Sequence, residues 1–179
     1  MRNHIDEATR REAAEYLMRL YGDDVMRICL MALKDFYLAQ DACQETFFRV
    51  WKYHDGFRHE SSEKTWVFHI AVNVCRDMKK ASWYRQGKDT LPLEENHLLL
   101  QDDSVFHGPV TEAVLALPEK YRLVLLLHYY HALKGPEIAR ILQVPYPTVL
   151  TRLHRGSELV RRTIEEGGAK HETKRHLSH

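Results

Sequence analysis

The sequence predicts an all-α protein, two small helical domains joined by a flexible acidic linker. Three observations carry that expectation. Apolar residues recur at three- and four-residue spacing through residues 9–84 and 109–162, the period of helices with one buried face. Between residues 82 and 107 the period fails, and Gln86-Gly87-Lys88-Asp89, Leu91-Pro92 and Gln101-Asp102-Asp103-Ser104 read as linker. Charge is also divided: residues 1–80 are net zero, residues 81–112 net −4 and residues 113–179 net +5, which the total of +1 conceals. A basic C-terminal third suits a polyanionic partner. The expected units are residues 1–84, a linker at 85–108, a second domain at 109–166 and a polar tail at 167–179.

The first helix is expected over residues 9–21, with Ala13, Tyr16, Leu17 and Leu20 at helical spacing. Gly22-Asp23-Asp24 reads as a turn in which an aspartate caps the next helix. That helix buries Val25, Ile28, Cys29 and Ala32 and ends at Lys34-Asp35. A third runs from Phe36 to Tyr53. Ala39, Cys43, Phe47, Val50 and Trp51 can face its core, and Asp41, Gln44, Glu45, Phe48 and Lys52 form the opposite stripe. An aromatic ring beside two acids on an outward face fits either a protein-docking surface or a plain amphipathic helix.

Residues 54–63 form a polar loop carrying Phe57. A fourth helix over residues 64–84 has apolar positions at Trp66, Val67, Ile70, Val74 and Met78, with Asn73 and Asp77 on polar faces. Arg76, Lys79 and Lys80 stand at i, i+3 and i+4, a spacing that can follow a phosphate backbone. Phe57, Trp66 and Phe68 could stack on exposed bases, or Trp66 and Phe68 could be core. Helix resumes at Pro109 and breaks at Leu117-Pro118. Residues 119–131 contain Val124-Leu125-Leu126-Leu127, apolar on most sides and so buried between neighbours.

Residues 133–162 carry the sharpest local signal. Lys134-Gly135-Pro136-Glu137 reads as a helix start with Gly135 as N-cap, Pro136 at the first position and Glu137 at the positive dipole end. Ile138, Ala139, Ile141 and Leu142 give a short apolar face, and Gln143-Val144-Pro145-Tyr146-Pro147 breaks it. A second helix from near Pro147 to Arg162 stripes Val149, Leu153 and Val160 with Gly156 beside them, and gathers Thr148, Thr151, Arg152, Arg155 and Arg162 elsewhere. Two short helices, a tight turn and a basic second helix describe a helix-turn-helix. Arg152 and Arg155 are its best candidates for guanine edges or phosphates. The tail after Glu166 is polar, and disorder is expected there.

Composition excludes several classes. Apolar residues make up 44% of the chain, ample for packed cores, yet no run approaches a membrane span. The N-terminus lacks the apolar stretch of a signal peptide. Cys29, Cys43 and Cys75 are far apart with no CxxC pair, as expected of reduced thiols in a cytoplasmic protein. The twelve histidines supply no clustered ligand set; no metal, cofactor or catalytic residue is expected.

Ala39-Gln40-Asp41-Ala42-Cys43-Gln44-Glu45-Thr46-Phe47-Phe48-Arg49-Val50-Trp51 resembles the polymerase-binding helix of bacterial sigma factors. Trp66-Val67-Phe68-His69-Ile70-Ala71-Val72-Asn73, with Asp77 following, is similar to their promoter-melting helix. Leu117-Pro118-Glu119-Lys120-Tyr121-Arg122, then Glu137-Ile138-Ala139 and Thr148-Val149 with Arg152-Leu153-His154-Arg155, resembles their C-terminal DNA-binding domain. Length and layout resemble the small extracytoplasmic-function (ECF) branch. The resemblance implies that Asp41, Gln44, Glu45, Phe48 and Trp51 belong to the surface gripping the clamp helices of core RNA polymerase's largest subunit. It implies that Phe57, Trp66 and Asn73 open the minus-ten element and hold an unstacked non-template base, with Arg76, Lys79 and Lys80 on adjacent phosphates. Thr148, Thr151, Arg152 and Arg155 would read the minus-thirty-five element, the acidic linker would follow the polymerase's RNA path, and an anti-sigma factor is an expected partner. The chain departs from the family at His69 and Val72, positions often basic, at Gln143, where glycine is frequent, and at Pro147, a second proline at the recognition-helix start.

The competing reading is an autonomous helix-turn-helix regulator whose N-terminal helices sense a ligand or dimerise. It accounts for residues 117–165 and leaves the acidic-aromatic face and the aromatic-basic helix unexplained. A histidine-based metalloenzyme has no ligand cluster to stand on. The expected protein is not an enzyme but a polymerase subunit serving a stress- or signal-responsive gene set.

Overall fold

The computed structural model describes residues 7–86 and 108–176, with side chains described for residues 7–81 and 108–166. Every regular element among them is helical: α1 (Glu7–Leu33), α2 (Phe36–Tyr53), α3 (Glu63–Gln86), α4 (Pro109–Ala116), α5 (Glu119–Leu125), α6 (Gly135–Leu142) and α7 (Tyr146–His176). The expected acidic linker falls almost wholly outside the described residues.

α1 corrects the first sequence expectation, since residues 9–33 form one helix and not two. A glycine inside a helix costs only about 1 kcal/mol relative to alanine. Against this, Leu17, Val25 and Ile28 are buried on one continuous face, each contributing about 1.5–3 kcal/mol. Burial wins, and the helix passes through Gly22. The register also moves: Ala14 and Leu17 are buried, whereas Tyr16 and Leu20 are about half exposed, at 52% and 50%. Lys34, at φ 56°, turns the chain out of α1. Asp35 then caps α2, its Oδ1 accepting the Leu38 N–H at 2.8 Å.

α1, α2 and α3 pack as a three-helix bundle around Val25, Ile28, Ala39, Val50, Val67, Ala71 and Val74. Cys29 and Cys75 are buried in it and Cys43 is half-buried, all three as free thiols. Phe68 has no exposure. It is therefore core, edge-on to Tyr21 at 6.2 Å, and the base-stacking alternative for this ring is overturned.

In the C-terminal unit Leu123 to Leu127 are all buried, as their unbroken apolar run predicts. α5 continues into a single wider turn over Leu126–Tyr130, closed by the His131 N–H to the Leu126 carbonyl at 3.1 Å. The N-cap of α6 is Lys134 and not Gly135. The carboxylate of Glu137, third residue of the helix counted from Lys134, accepts the Lys134 N–H at 2.9 Å; counted from Gly135 that position would be Ile138, whose side chain has no acceptor. Gly135 is needed for another reason: the Tyr146 ring lies where its Cβ would be, 2.2 Å from Cε2. Gln143, at φ 54°, ends α6 in the left-handed region. α7 starts one residue before Pro147, which sits in the first turn where its missing N–H costs nothing. It also runs past Arg162 to His176, so the tail expected to be disordered is helical through that residue. The i, i+4 pairs Arg161–Glu165 at 3.8 Å and Arg162–Glu166 at 3.6 Å favour that extension.

The two units share one core. α5 packs on α1 and α6 on α3, and a single cluster of buried apolar side chains runs from Leu17 to Val149.

Candidate nucleic-acid interface

α2 presents the predicted outward ridge. Asp41, Gln44, Phe48 and Lys52 are exposed and Glu45 is half-buried, with the Phe48 ring 5.6 Å from that of half-buried Trp51. Asp41, Gln44, Glu45 and Phe48 line a shallow pocket of about 580 Å³ together with Asp77 and Met78 of α3. Arg49 sits at its floor, bonded to Glu45 at 2.7 Å and to Asp77 at 2.8 Å. The bonds to Asp77 and Glu45 raise its pKa and hold it charged. The acids that remain open to a partner are Asp41 and the outer edges of Glu45 and Asp77.

The aromatic pair of the loop and α3 is built as a stack. Phe57 lies on Trp66 with centroids 4.7 Å apart and planes at 28°, and His54 meets Trp66 edge-on at 6.4 Å. Trp66 is half-buried and packs against the core cluster, and His59 lies 4.5 Å from the Phe57 ring.

The polar face of α3 is occupied from within the chain. Asn73 Nδ2 donates to His69 Nε2 at 3.0 Å, and Arg76 Nη1 donates to Asn73 Oδ1 at 3.3 Å. Arg76 also reaches the C-terminal unit, donating to the Leu142 carbonyl at 2.5 Å and to Gln143 Oε1 at 3.0 Å. Gln143 Nε2 in turn donates to His69 Nε2 at 2.9 Å. Burial, then the nearby Arg76 charge, lowers the His69 pKa, which suits an unprotonated Nε2 whose single lone pair the two amide N–H groups share. Lys79 pairs with Glu119 of α5, and Lys80 is exposed. Arg76, Lys79, Lys80, Lys120 and Arg152 converge with Glu119 on a cleft of about 300 Å³ between the units.

On α7 the two faces separate as the sequence predicts. Val149 is fully buried, Leu153 and Val160 are half-buried, and Gly156 is pressed against α5, where a Cβ would lie 3.2 Å from Leu125 Cδ1 and 3.3 Å from Tyr121 Cβ. Thr151 and Arg155 are exposed; Thr148 and Arg152 are half-buried. The Thr151 hydroxyl donates to its own helix at the Pro147 carbonyl, 3.0 Å away. The basic face is thus open at Arg155 and turned toward the inter-unit cleft at Arg152.

Sequence reasoning missed the residues that join the units. Arg122 is 3% exposed and donates to the Met31 carbonyl of α1, to the Leu117 carbonyl at 2.6 Å and to the Leu115 carbonyl at 3.2 Å. Lys64 donates to the His131 carbonyl at 3.2 Å, and Arg140 to the Glu60 carbonyl at 2.8 Å. His131 packs edge-on to Phe68 at 4.8 Å, and Arg27 lies over the Tyr130 ring at 5.2 Å. The one available signal was Arg122, a charge at the head of the apolar run Leu123–Leu127.

A bundle whose third helix bears cations beside an aromatic stack, coupled to a helix-turn-helix, defines a two-part helical protein built to face nucleic acid. The Sigma-70 region 2 family matches residues 17–84, and the Sigma-70 region 4 family matches residues 107–159. The chain belongs to the ECF RNA polymerase sigma factors. It is 30% identical over 170 residues to the ECF RNA polymerase sigma factor SigW of Bacillus subtilis, covering 87% of this chain and 91% of that one. To the RNA polymerase sigma-H factor of Pseudomonas aeruginosa it is 25% identical over 169 residues, covering 87% and 88%. The fold is that of the sigma factor RpoE from Bartonella quintana, solved in complex with the anti-sigma factor NepR, at a TM-score of 0.66 and 20% identity over 84% of this chain and 96% of that one. It is likewise that of CnrH, solved with the cytosolic domain of CnrY, at a TM-score of 0.63 and 17% identity over 89% and 92%.

Proposed function

We propose that the chain is an alternative sigma factor that binds core RNA polymerase, recognises minus-ten and minus-thirty-five promoter elements and starts transcription of a signal-responsive gene set. The single observation that carries this reading is the order of surfaces along one family-matched chain. An acidic-aromatic ridge on α2 precedes an aromatic stack and cations on α3, and a basic helix-turn-helix follows.

In this reading Asp41, Gln44, Glu45, Phe48 and Trp51 dock on the clamp helices of the polymerase's largest subunit. Phe57, Trp66 and Asn73 take an unstacked base of the non-template strand, offsetting a few kcal/mol of unstacking. Arg76, Lys79 and Lys80 hold the adjoining phosphates, and Thr148, Thr151, Arg152 and Arg155 read the duplex upstream. Residues 1–84 and 109–166 do this work, with residues 85–108 threading the RNA path between them and residues 167–179 beyond. The protein acts in the cytoplasm as a polymerase subunit and not as an enzyme. An anti-sigma factor holds it inactive, in keeping with the structural relative RpoE, solved in complex with the anti-sigma factor NepR.

The test is to add the purified chain to core polymerase and map transcript starts on genomic fragments. New, sequence-related start sites support the reading, whereas starts identical to those of core enzyme alone remove it. Asp41→Arg with Glu45→Arg abolishes holoenzyme formation while leaving duplex binding by α7 in place; unchanged co-elution with core polymerase would refute the docking ridge.

A further inference from the structure

We propose that Leu150, seated beside Tyr146 on the outward face of α7, is a specificity-determining residue that reads the C5-methyl group of a thymine in the upstream promoter element. The proposal rests on reading α7 as the helix that enters the duplex major groove.

The exposed face of α7 is not the basic face alone. At 100° per residue, Pro147, Leu150, Thr151 and His154 fall within about 100° of arc, and all four are exposed. They lie on the far side of the helix from Val149, Leu153, Gly156 and Val160, which pack inward. Thr148 and Arg152 are half-buried on one flank. The crest of the helix therefore carries an apolar side chain, a hydroxyl and an imidazole, with exposed Arg155 at their edge.

A lone leucine on a surface is ordinary, but Leu150 has an apolar neighbour. Tyr146 stands one turn before it, at i−4, and the two are 48% and 45% exposed. The Tyr146 ring is seated against α6, in the space that a Cβ on Gly135 would fill. Ring and leucine form a small apolar edge over the first turns of the second helix of a helix-turn-helix, the part that faces base edges in this motif. α7 packs on α4, α5 and α6 through its other face, so the core does not require the Leu150 side chain.

The surroundings select the partner. Between Tyr146 and Ser157, α7 carries Arg152, His154 and Arg155 and no carboxylate. That bias suits a groove lined with phosphates. Among the four bases only thymine presents a methyl group on the major-groove edge, and apolar side chains recognise it by contact. Cytosine in the same place would offer an amine donor that Leu150 cannot accept and would leave desolvated. Leu150 thus supplies discrimination at a base pair where no hydrogen bond is made.

The experiment uses the full chain assembled with core polymerase, and a pool of duplexes randomised over the upstream element to find the sequence it retains. Each thymine of the retained element is then replaced in turn by uracil, which removes the methyl group and leaves the hydrogen-bonding edges unchanged. Fluorescence anisotropy reads the affinity of wild type, Leu150→Ala and Leu150→Met for each duplex. At one thymine, wild type and Leu150→Met are expected to bind the uracil duplex roughly four-fold more weakly, the worth of one buried methyl-sized group. Leu150→Ala is expected to bind the two duplexes alike; alanine is the strongest helix former, and circular dichroism checks that α7 is kept. A retained element without thymine, a wild type indifferent to uracil at every position, or a Leu150→Ala variant that keeps the wild-type preference overturns the assignment. So does a Leu150→Ala variant that loses core polymerase instead of the thymine preference. A pool from which nothing is enriched sinks the sigma reading itself, whereas enrichment without a methyl-sensitive thymine sinks only the role of Leu150.

Discussion

Arg122 is the residue on which the joint between the units turns. A buried guanidinium is costly to desolvate, and three backbone carbonyls from α1, α4 and the α4–α5 break compensate it. Burial lowers its pKa from the ordinary arginine value, and Glu119 opposes that shift. Arg122→Met leaves those carbonyls without that donor and is expected to lower unfolding free energy by roughly 1–3 kcal/mol for each one left unsatisfied, read in urea titration; a loss below about 1 kcal/mol would show that water replaces the guanidinium.

His131 is the matching sensor. Burial pushes its pKa down to about 4, Asp24 at 3.7 Å pulls it up, and Lys64 and Arg27 lower it further. Its Nε2 is buried without a partner, consistent with a neutral ring. The unfolded chain therefore binds a proton between pH 6.5 and about 4 that the folded chain does not. His131's contribution is intact above pH 6.5 and is lost as pH falls toward 4. His131→Phe, which keeps the ring contact with Phe68, flattens that slope in urea midpoints measured across the range. His131's place was not legible in the sequence, since a histidine after a tyrosine pair reads alike whether it faces water or a second domain; Arg122 was marked only as a charge heading a leucine run.

Single helices set what each surface can do. α2 was legible in its two faces, because an outward stripe and a core-facing stripe separate at helical spacing; its cap was not, since Asp35 reads as the end of the helix before it. α1 was not: a glycine followed by two aspartates is turn chemistry locally, and only packing against α2 and α3 overrules it. α3 was legible on one side alone. Its period gave Val67 and Val74, but Val72 and Phe68 are buried as well, because neighbours lie on several faces of the helix.

α7 yields two tests. Gly156→Leu forces atoms into Leu125 and Tyr121 and is expected to cost about 1–3 kcal/mol, read as a lower urea midpoint with an unchanged m-value. Arg152→Ala or Arg155→Ala is expected to weaken promoter binding by about 1–3 kcal/mol if the arginine makes a bidentate base contact, and to relax preference at one base pair. Equal loss on every duplex in template competition would reassign it to phosphate.

At the scale of the whole molecule the shared core predicts cooperativity. The buried cluster runs without a gap from α1 through α3 to α5, α6 and α7, so calorimetry of the intact chain should show one transition whose van't Hoff and calorimetric enthalpies agree. Two resolved transitions would mean that the units are joined by polar contacts only. The two-part layout was legible from charge and periodicity, since both are local properties of the chain. The closed arrangement was not. It depends on side chains far apart in sequence, Lys64 with His131 and Arg140 with Glu60, and none of them departs from what a solvated surface would carry.

The left-handed turn at Gln143 has a consequence for anyone who would engineer this protein. A substitution chosen by the usual rule, glycine wherever φ is positive, relaxes the turn it occupies and unfastens a joint between domains. Heat tolerance of the turn and readiness of the units to part then rise together, and selection for the sturdier turn would deliver the more restless molecule.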